Sequence, residues 1–183
     1  MEKPKAILII DDLSLITEQV IKKIRDAGYS VSRSTAGAQI EEVMKESAPD
    51  VVMIRYVSDN KKEWMDSCKV MRKSGTVGII TLIAKDDLIS DLEYRELEQL
   101  SDDVIEFPLP DREVLSKIKL VLRLMKAQLA LQESDDRYRA GFENLPLGYQ
   151  SLDINGNFLE VNHAWLRTLG YERDEVIGKW FGD

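Results

Sequence analysis

Short apolar runs alternate with helical patterns along the first two thirds of the chain, and this alternation constrains the fold more than any other feature. The first run, Ala6–Ile10, is continuously apolar and ends at two aspartates. Such a run is typical of a strand that is buried on both faces of a parallel sheet. Further strand-sized runs begin at Val31, Val51, Val77 and Val104, with helical apolar spacing between them. Five strands alternating with five helices predict an α/β domain built on a five-stranded, doubly wound parallel sheet.

The pattern changes in the last third of the chain. No glycine or proline occurs between Arg112 and Ala140, so the last helix of the first domain is expected to continue as a helical linker. After Ser134 short apolar segments alternate with turn residues, and Asn155-Gly156 predicts a β-hairpin with a two-residue type I′ turn. We therefore expect a first domain over 1–123, a helical linker over 124–136 and a partial α+β domain over 137–183.

The linker helix carries a repeat that permits two interpretations. Its apolar residues recur at intervals of 3, 4, 3 and 4, which is the spacing of a coiled-coil seam. This favours a homodimer that forms through the helix. An amphipathic helix packed on its own sheet has the same spacing, and both alternatives stay open for 115–122. The seam consists of Leu115, Ile118, Leu122, Met125 and Leu129.

Charge and composition exclude several classes of function. The chain has 33 acidic and 25 basic residues, a net charge of -8, and no cluster of lysines or arginines. Binding to nucleic acid or to an anionic membrane needs such a cluster, so neither is expected. The single cysteine, Cys68, excludes an internal disulfide, and the apolar runs are too short to span a bilayer. We expect a cytoplasmic location.

Three segments of the first domain resemble the receiver domain of response regulators. They are ILIIDD (residues 7–12), PDVVMI (49–54) and DDVIEFP (102–108). The resemblance covers the whole of 1–123. It implies an acidic pair after the first strand that binds Mg²⁺, and an aspartate at the end of the third strand that accepts a phosphoryl group. It also implies a threonine or serine after the fourth strand and a lysine after the fifth, which sense that group.

Only the acidic pair of that site is present, as Asp11 and Asp12. Arg55 stands at the phosphoacceptor position, and a guanidinium is a permanent cation that cannot replace a carboxylate nucleophile. We expect Arg55 to form a forked ion pair with Asp11 or Asp12, with weak Mg²⁺ binding there at most. The positions that would sense the phosphoryl group are also apolar: Ile83, Val104 and Phe107.

The last segment resembles the N-terminal part of a PAS sensor domain. The resemblance depends on ENLPLG (143–148), DINGNF (153–158), VNHA (161–164) and GYERDEVIGK (170–179). A PAS domain is normally longer, so this part reads as truncated. No residue of this segment indicates a cofactor.

Together these features predict a phosphorylation-independent pseudo-receiver coupled to a PAS sensor, as in multi-domain sensor or hybrid histidine kinases. No catalytic residue is expected in this region, and a kinase would lie outside it. The expected partners are a second copy of the chain, other signalling proteins and downstream domains of the same chain. Two alternatives stay open: a plain dimerisation module, and a flavodoxin-type ligand-binding domain, although carboxylates after the first strand would repel a flavin phosphate.

Overall fold

The chain divides into two compact units, Met1–Ala127 and Gln128–Asp183. The structure is a computed structural model that describes residues 5–11, 15–35, 40–73 and 77–182. The boundaries expected at residues 123 and 136 stay predictions. Among the described helices, none is both long and apolar enough to cross a membrane.

The first unit is an α/β domain with a parallel five-stranded sheet in the order β2-β1-β3-β4-β5, so the predicted fold is confirmed. A short 3₁₀ turn, Ser58–Asn60, precedes the third helix. The elements are β1 (Ala6–Ile10), α1 (Glu18–Asp26), β2 (Ser30–Ser34), α2 (Ile40–Ser47), β3 (Val51–Arg55), α3 (Lys61–Lys73), β4 (Gly78–Ala84), α4 (Asp91–Leu100), β5 (Asp103–Phe107) and α5 (Asp111–Glu143).

Both faces of this sheet are covered by apolar side chains. In β1, Ile7 and Ile9 belong to the layer under α1 and α5, whereas Leu8 and Ile10 belong to the layer under α2, α3 and α4. All four side chains are at most 1% exposed, and each one that is fully buried stabilises the fold by about 1.5–3 kcal/mol. The two layers explain why the central strands are continuously apolar.

Helix α5 packs on the sheet through residues that include part of the predicted dimer seam. Its buried side chains are Val114, Ile118, Val121 and Met125. Leu115 and Leu122 pack partly against the same core, whereas Leu129 is 45% exposed. The predicted seam is therefore wrong at Ile118 and Met125, because the sheet and not a second copy covers them. The 3-4 spacing is common to both kinds of contact.

The second unit contains a small antiparallel sheet and two short helices. Its elements are β6 (Gln150–Leu152), β7 (Phe158–Val161), α6 (His163–Leu169) and α7 (Arg173–Val176), after the end of α5 at Glu143. The predicted hairpin is confirmed, but its connection is longer than two residues. The Asp153 carboxylate accepts hydrogen bonds from Asn155 N and Asn157 N, each at 2.8 Å, and Gly156 has a positive φ of 84°.

Asn162 is the centre of the hydrogen bonding in the second unit. Its side chain is fully buried. The amide oxygen accepts from Tyr149 N at 2.8 Å and from Trp165 N at 2.9 Å, which caps α6. The amide nitrogen donates to Phe142 O at 3.2 Å and to Leu147 O at 2.9 Å. One side chain thus joins the end of α5, the loop that leads to β6, and α6.

Candidate functional site

The carboxyl ends of β1, β3, β4 and β5 lie side by side and form the candidate site. The strand register pairs Ile10 with Ile54, Arg55 with Leu82, and Ala84 with Phe107. In open α/β sheets, functional groups collect at this edge. The side chains around Arg55 decide what the edge can do.

Arg55 forms a forked ion pair with Asp87, which lies in the connection between β4 and α4. The terminal nitrogens of Arg55 lie 2.7 Å from Asp87 Oδ2 and 3.0 Å from Asp87 Oδ1. One of them also donates to Leu82 O at 3.2 Å, and the Arg55 side chain is only 7% exposed. The predicted pairing of Arg55 with Asp11 is wrong, because the connection after β4 brings Asp87 over the end of β3. Asp12 lies outside the described residues.

Asp87 is held by the backbone as well as by Arg55. Its Oδ2 accepts a hydrogen bond from Ala84 N at 2.7 Å, and Asp87 N donates to Ala84 O at 3.0 Å. The hydrogen bond from Arg55 keeps the pKa of Asp87 below its usual range. The carboxylate is therefore ionised at neutral pH and matches the permanent charge of the guanidinium.

A second side chain at the end of β3, Tyr56, reaches the start of α4. Tyr56 is 1% exposed, and its hydroxyl donates to Glu93 Oε1 at 2.9 Å. Glu93 Oε2 accepts from Ser90 N at 3.0 Å and from Ser90 Oγ at 2.7 Å, and the two residues form a capping box for α4. Burial raises the pKa of Tyr56 to about 12, and hydrogen bonds led by Ser90 lower the pKa of Glu93 to about 2.

The sequence analysis missed the contribution of four residues to this site, Tyr56, Asp87, Ser90 and Glu93. The spacing of Ser90 and Glu93 is the pattern of a capping box and could have located the start of α4. Nothing in the sequence pairs Tyr56 or Arg55 with its acidic partner, because those contacts join separate strands and loops.

Asp11, beside the candidate site, accepts a hydrogen bond from the backbone. It is 5% exposed, and its Oδ2 accepts a hydrogen bond from Ile16 N at 2.8 Å. Its Oδ1 has no hydrogen-bond partner among the described residues. Asp11 therefore ties the backbone at Ile16, just before α1, to the end of β1.

The described residues do not fit a Mg²⁺ site of the receiver type. Mg²⁺ requires a near-octahedral set of oxygen ligands. Asp11 supplies one carboxylate at this edge, whereas the Arg55 side chain at the end of β3 is a permanent cation that repels Mg²⁺. Within the described ranges, no group of three or more histidine, cysteine, aspartate or glutamate side chains could hold a metal ion.

The three predicted sensing positions lie in or against the core. Ile83 and Phe107 are each 3% exposed and belong to opposite apolar layers of the sheet. Val104 packs partly against the layer under α2, α3 and α4. None of these side chains has a group that could form a hydrogen bond with a phosphoryl oxygen. Their assignment as lost sensing positions stays a prediction.

Comparisons with known proteins agree with the two-part architecture. Residues 136–183 match the family model of the PAS fold. The transcriptional regulatory protein BaeR of Escherichia coli O6:H1 is 28% identical over 181 residues, covering 97% of this chain and 73% of BaeR. The TorCAD operon transcriptional regulatory protein TorR of Escherichia coli K12 is 26% identical over 163 residues, covering 88% of this chain and 70% of TorR.

Solved structures give the same result for the fold. The receiver domain of the TMAO respiratory system response regulator TorR superposes with a TM-score of 0.55 at 24% identity, covering 67% of this chain and 99% of that domain. A fusion protein that contains the trimeric coiled coil of yeast Spc42 has a TM-score of 0.58 at 17% identity, covering 75% of this chain and 89% of the fusion. The first unit therefore has the fold of a receiver domain and response-regulator homologues, residues 136–183 match the PAS fold, and the two findings together support a two-component signalling module.

Proposed function

We propose that the first unit is a pseudo-receiver that signals without being phosphorylated, and that α5 couples it to the PAS segment. The observation that carries this proposal is the position and pairing of Arg55. A phosphoacceptor must be a free nucleophile, and this position holds a buried, permanently protonated guanidinium that is already paired with Asp87. The proposal assigns binding and conformational coupling to this region rather than catalysis.

Three other acidic residues of the first unit, Asp11, Asp50 and Asp59, do not replace the missing acceptor. Asp50 lies at the opposite end of β3, where its carboxylate accepts from Ala6 N at 2.7 Å and from Lys5 Nζ at 2.8 Å. Asp11 is buried and bonded to Ile16 N. Asp59 belongs to the exposed turn before α3. None of the three occupies the acceptor position.

The substitution Arg55→Asp tests this proposal by restoring a third carboxylate at the strand ends. We expect tighter Mg²⁺ binding by the variant, measured by calorimetry and by tryptophan fluorescence, with little response from the wild type. Sub-millimolar Mg²⁺ binding by the wild type would contradict the proposal. The matched control is Arg72→Asp, which changes the charge equally at the other end of β4 and should leave Mg²⁺ affinity unchanged.

A homodimer through α5 is the second part of the proposal, with a seam different from the one expected from the sequence. Leu120, Leu124 and Leu131 are 59%, 43% and 72% exposed. With Ala127 between the last two, they recur at intervals of 4, 3 and 4 on one face of α5. This is coiled-coil spacing, and a second copy presents the identical stripe.

The exposure of the second half of α5 supports a second copy of the chain that covers this helix. Residues 126–141 are exposed around the whole helix, and a solvated helical segment of this length is only marginally stable in water. One fold neighbour is a fusion protein that contains a trimeric coiled coil. We propose a parallel arrangement, which brings the same part of each copy together.

Light scattering with Leu124→Glu tests the dimer. The wild type should be dimeric at high micromolar concentration and the variant monomeric. Leu88→Glu is the control, because Leu88 is 95% exposed and lies in the β4–α4 connection, away from α5. A monomeric wild type, or a dimer that survives both Leu124→Glu and Leu131→Glu, would contradict this part of the proposal.

The remaining partners follow from the same proposal. They are other signalling proteins and downstream domains of the same chain. A cytoplasmic location also belongs to the proposal, since the single cysteine, Cys68, is buried as a free thiol.

A further inference from the structure

The connection between β4 and α4 is held to the end of β3 at two points. We propose that the Arg55–Asp87 and Tyr56–Glu93 pairs together form a latch that fixes residues 84–93 in one arrangement without a phosphoryl group. This inference rests on the proposed function, because it states how a receiver domain that is not phosphorylated keeps this connection ordered.

The Arg55 half of the latch is strong because its anchor lies in the centre of the sheet. Strand β3 is paired on both sides, with β1 and with β4. From its end, Arg55 makes two parallel hydrogen bonds to Asp87, which in turn accepts from Ala84 N. Charge-assisted bidentate pairs of this kind are among the strongest hydrogen bonds in proteins, and low exposure of the guanidinium reduces screening by water.

The Tyr56 half of the latch fixes the first turn of α4. The Tyr56 ring packs edge-to-face on Trp64, with the ring centroids 5.4 Å apart, and Tyr56 N donates to Leu82 O at 2.9 Å. Its hydroxyl is therefore positioned by the core when it donates to Glu93. Because Glu93 also closes the capping box with Ser90, this one contact joins the helix start to β3.

Apolar packing contributes little to the order of this connection. Leu88 is 95% exposed and Leu92 is 68% exposed. Between them, Ile89 packs partly against the core. The polar contacts of Asp87 and Glu93 are therefore the main restraint on the segment.

A spin label on Leu88→Cys reports the order of the connection directly. The only native cysteine, Cys68, is fully buried, so the label is expected to react at residue 88. The variant Arg55→Gln should increase the mobility of the label. It should also accelerate amide hydrogen exchange at Ala84 and through residue 93 by roughly tenfold or more, the effect expected when hydrogen bonds to a charged group are lost.

Arg72→Gln is the matched control for this experiment. Arg72 lies 2.9 Å from Asp102 Oδ1 and donates to Val77 O at 3.4 Å, so it makes the same kinds of contact at the other end of β4. This variant should leave label mobility and exchange over 84–93 at wild-type values. The latch would be overturned if label mobility and amide exchange over 84–93 were the same in the wild type, Arg55→Gln and Arg72→Gln.

Tyr56→Phe keeps the test decisive if Arg55→Gln fails to fold. It removes only the hydroxyl and should accelerate exchange over 90–93, while the ring remains packed on Trp64. Unchanged exchange in Tyr56→Phe and in Asp87→Asn would overturn the latch on its own. A phosphoryl adduct on the wild type would instead contradict the proposed function, and the two failures are therefore distinguishable.

Discussion

The two units of this chain are stabilised by different means. The first unit buries apolar layers on both faces of a parallel sheet. In the second unit, the buried apolar cluster of the described residues consists of Phe158, Val161 and Val176, and its loops and helix ends converge on Asn162. Loss of apolar volume should therefore damage the first unit most, and loss of one polar side chain the second.

The largest effect is expected from removing apolar volume under α5. Ile118→Ala should lower the free energy of unfolding of the first unit by about 2–5 kcal/mol, because it leaves a cavity in a fully packed layer. Denaturant unfolding followed by circular dichroism measures this. Lys119→Ala, at an exposed position of the same helix outside the proposed dimer stripe, is the control and should change the value by less than about 0.5 kcal/mol. Equal effects of the two substitutions would show that α5 packs through a different face.

The next largest effect is expected from removing the side-chain amide of Asn162. It should be confined to the second unit. Asn162→Ala leaves two backbone N–H groups and two carbonyl groups without this partner, at an expected cost of about 2–4 kcal/mol. Amide exchange of Tyr149 and Trp165 should accelerate, with no change in β1 or β3. Asn144→Ala is the control, because Asn144 is exposed and its side-chain amide donates to Ala140 O, at 2.7 Å, within its own helix turn. Faster amide exchange in both units would contradict this difference between the two units.

The smallest effect is expected in the stability of the first unit and its dependence on pH. The pKa of Asp87 is lowered by Arg55, so the stability that this carboxylate contributes is present above its unfolded pKa of about 3.9 and is lost as the pH falls through the lower folded value. Asp87→Asn should therefore destabilise the first unit by about 1 kcal/mol at neutral pH. The difference from the wild type should shrink below about pH 4, as the wild-type carboxyl titrates. A difference that stays constant down to the lowest accessible pH would contradict the ion pair.

The same contrast explains what the sequence could predict. Central strands such as β1 and β3 are buried on both faces, so their continuous apolar runs identify them directly. The partner of Arg55 could not be predicted, because it depends on where the connection after β4 places Asp87. The face of α5 was equally ambiguous, since a 3-4 repeat describes both a helix on a sheet and a coiled-coil seam.

The second unit shows a related limit on prediction. Asn155-Gly156 correctly predicted a hairpin, because Gly156 has a positive φ. The turn type was wrong, since the Asp153 carboxylate organises residues 153–157 into a longer connection. Asn162 lies in the VNHA segment, but its hydrogen bonds could not be predicted, because three of the four reach 13 to 20 residues back along the chain.

Intact-mass spectrometry after treatment with acetyl phosphate and Mg²⁺ tests the central claim most directly. The account predicts no phosphoryl adduct on the wild-type protein, because the proposed acceptor position is that of Arg55, which is paired with Asp87. A phosphorylatable receiver domain treated in parallel confirms that the reagent is active. A hydroxylamine-sensitive phosphoryl adduct on Asp11, Asp12 or Asp59 of the wild-type protein would contradict the account.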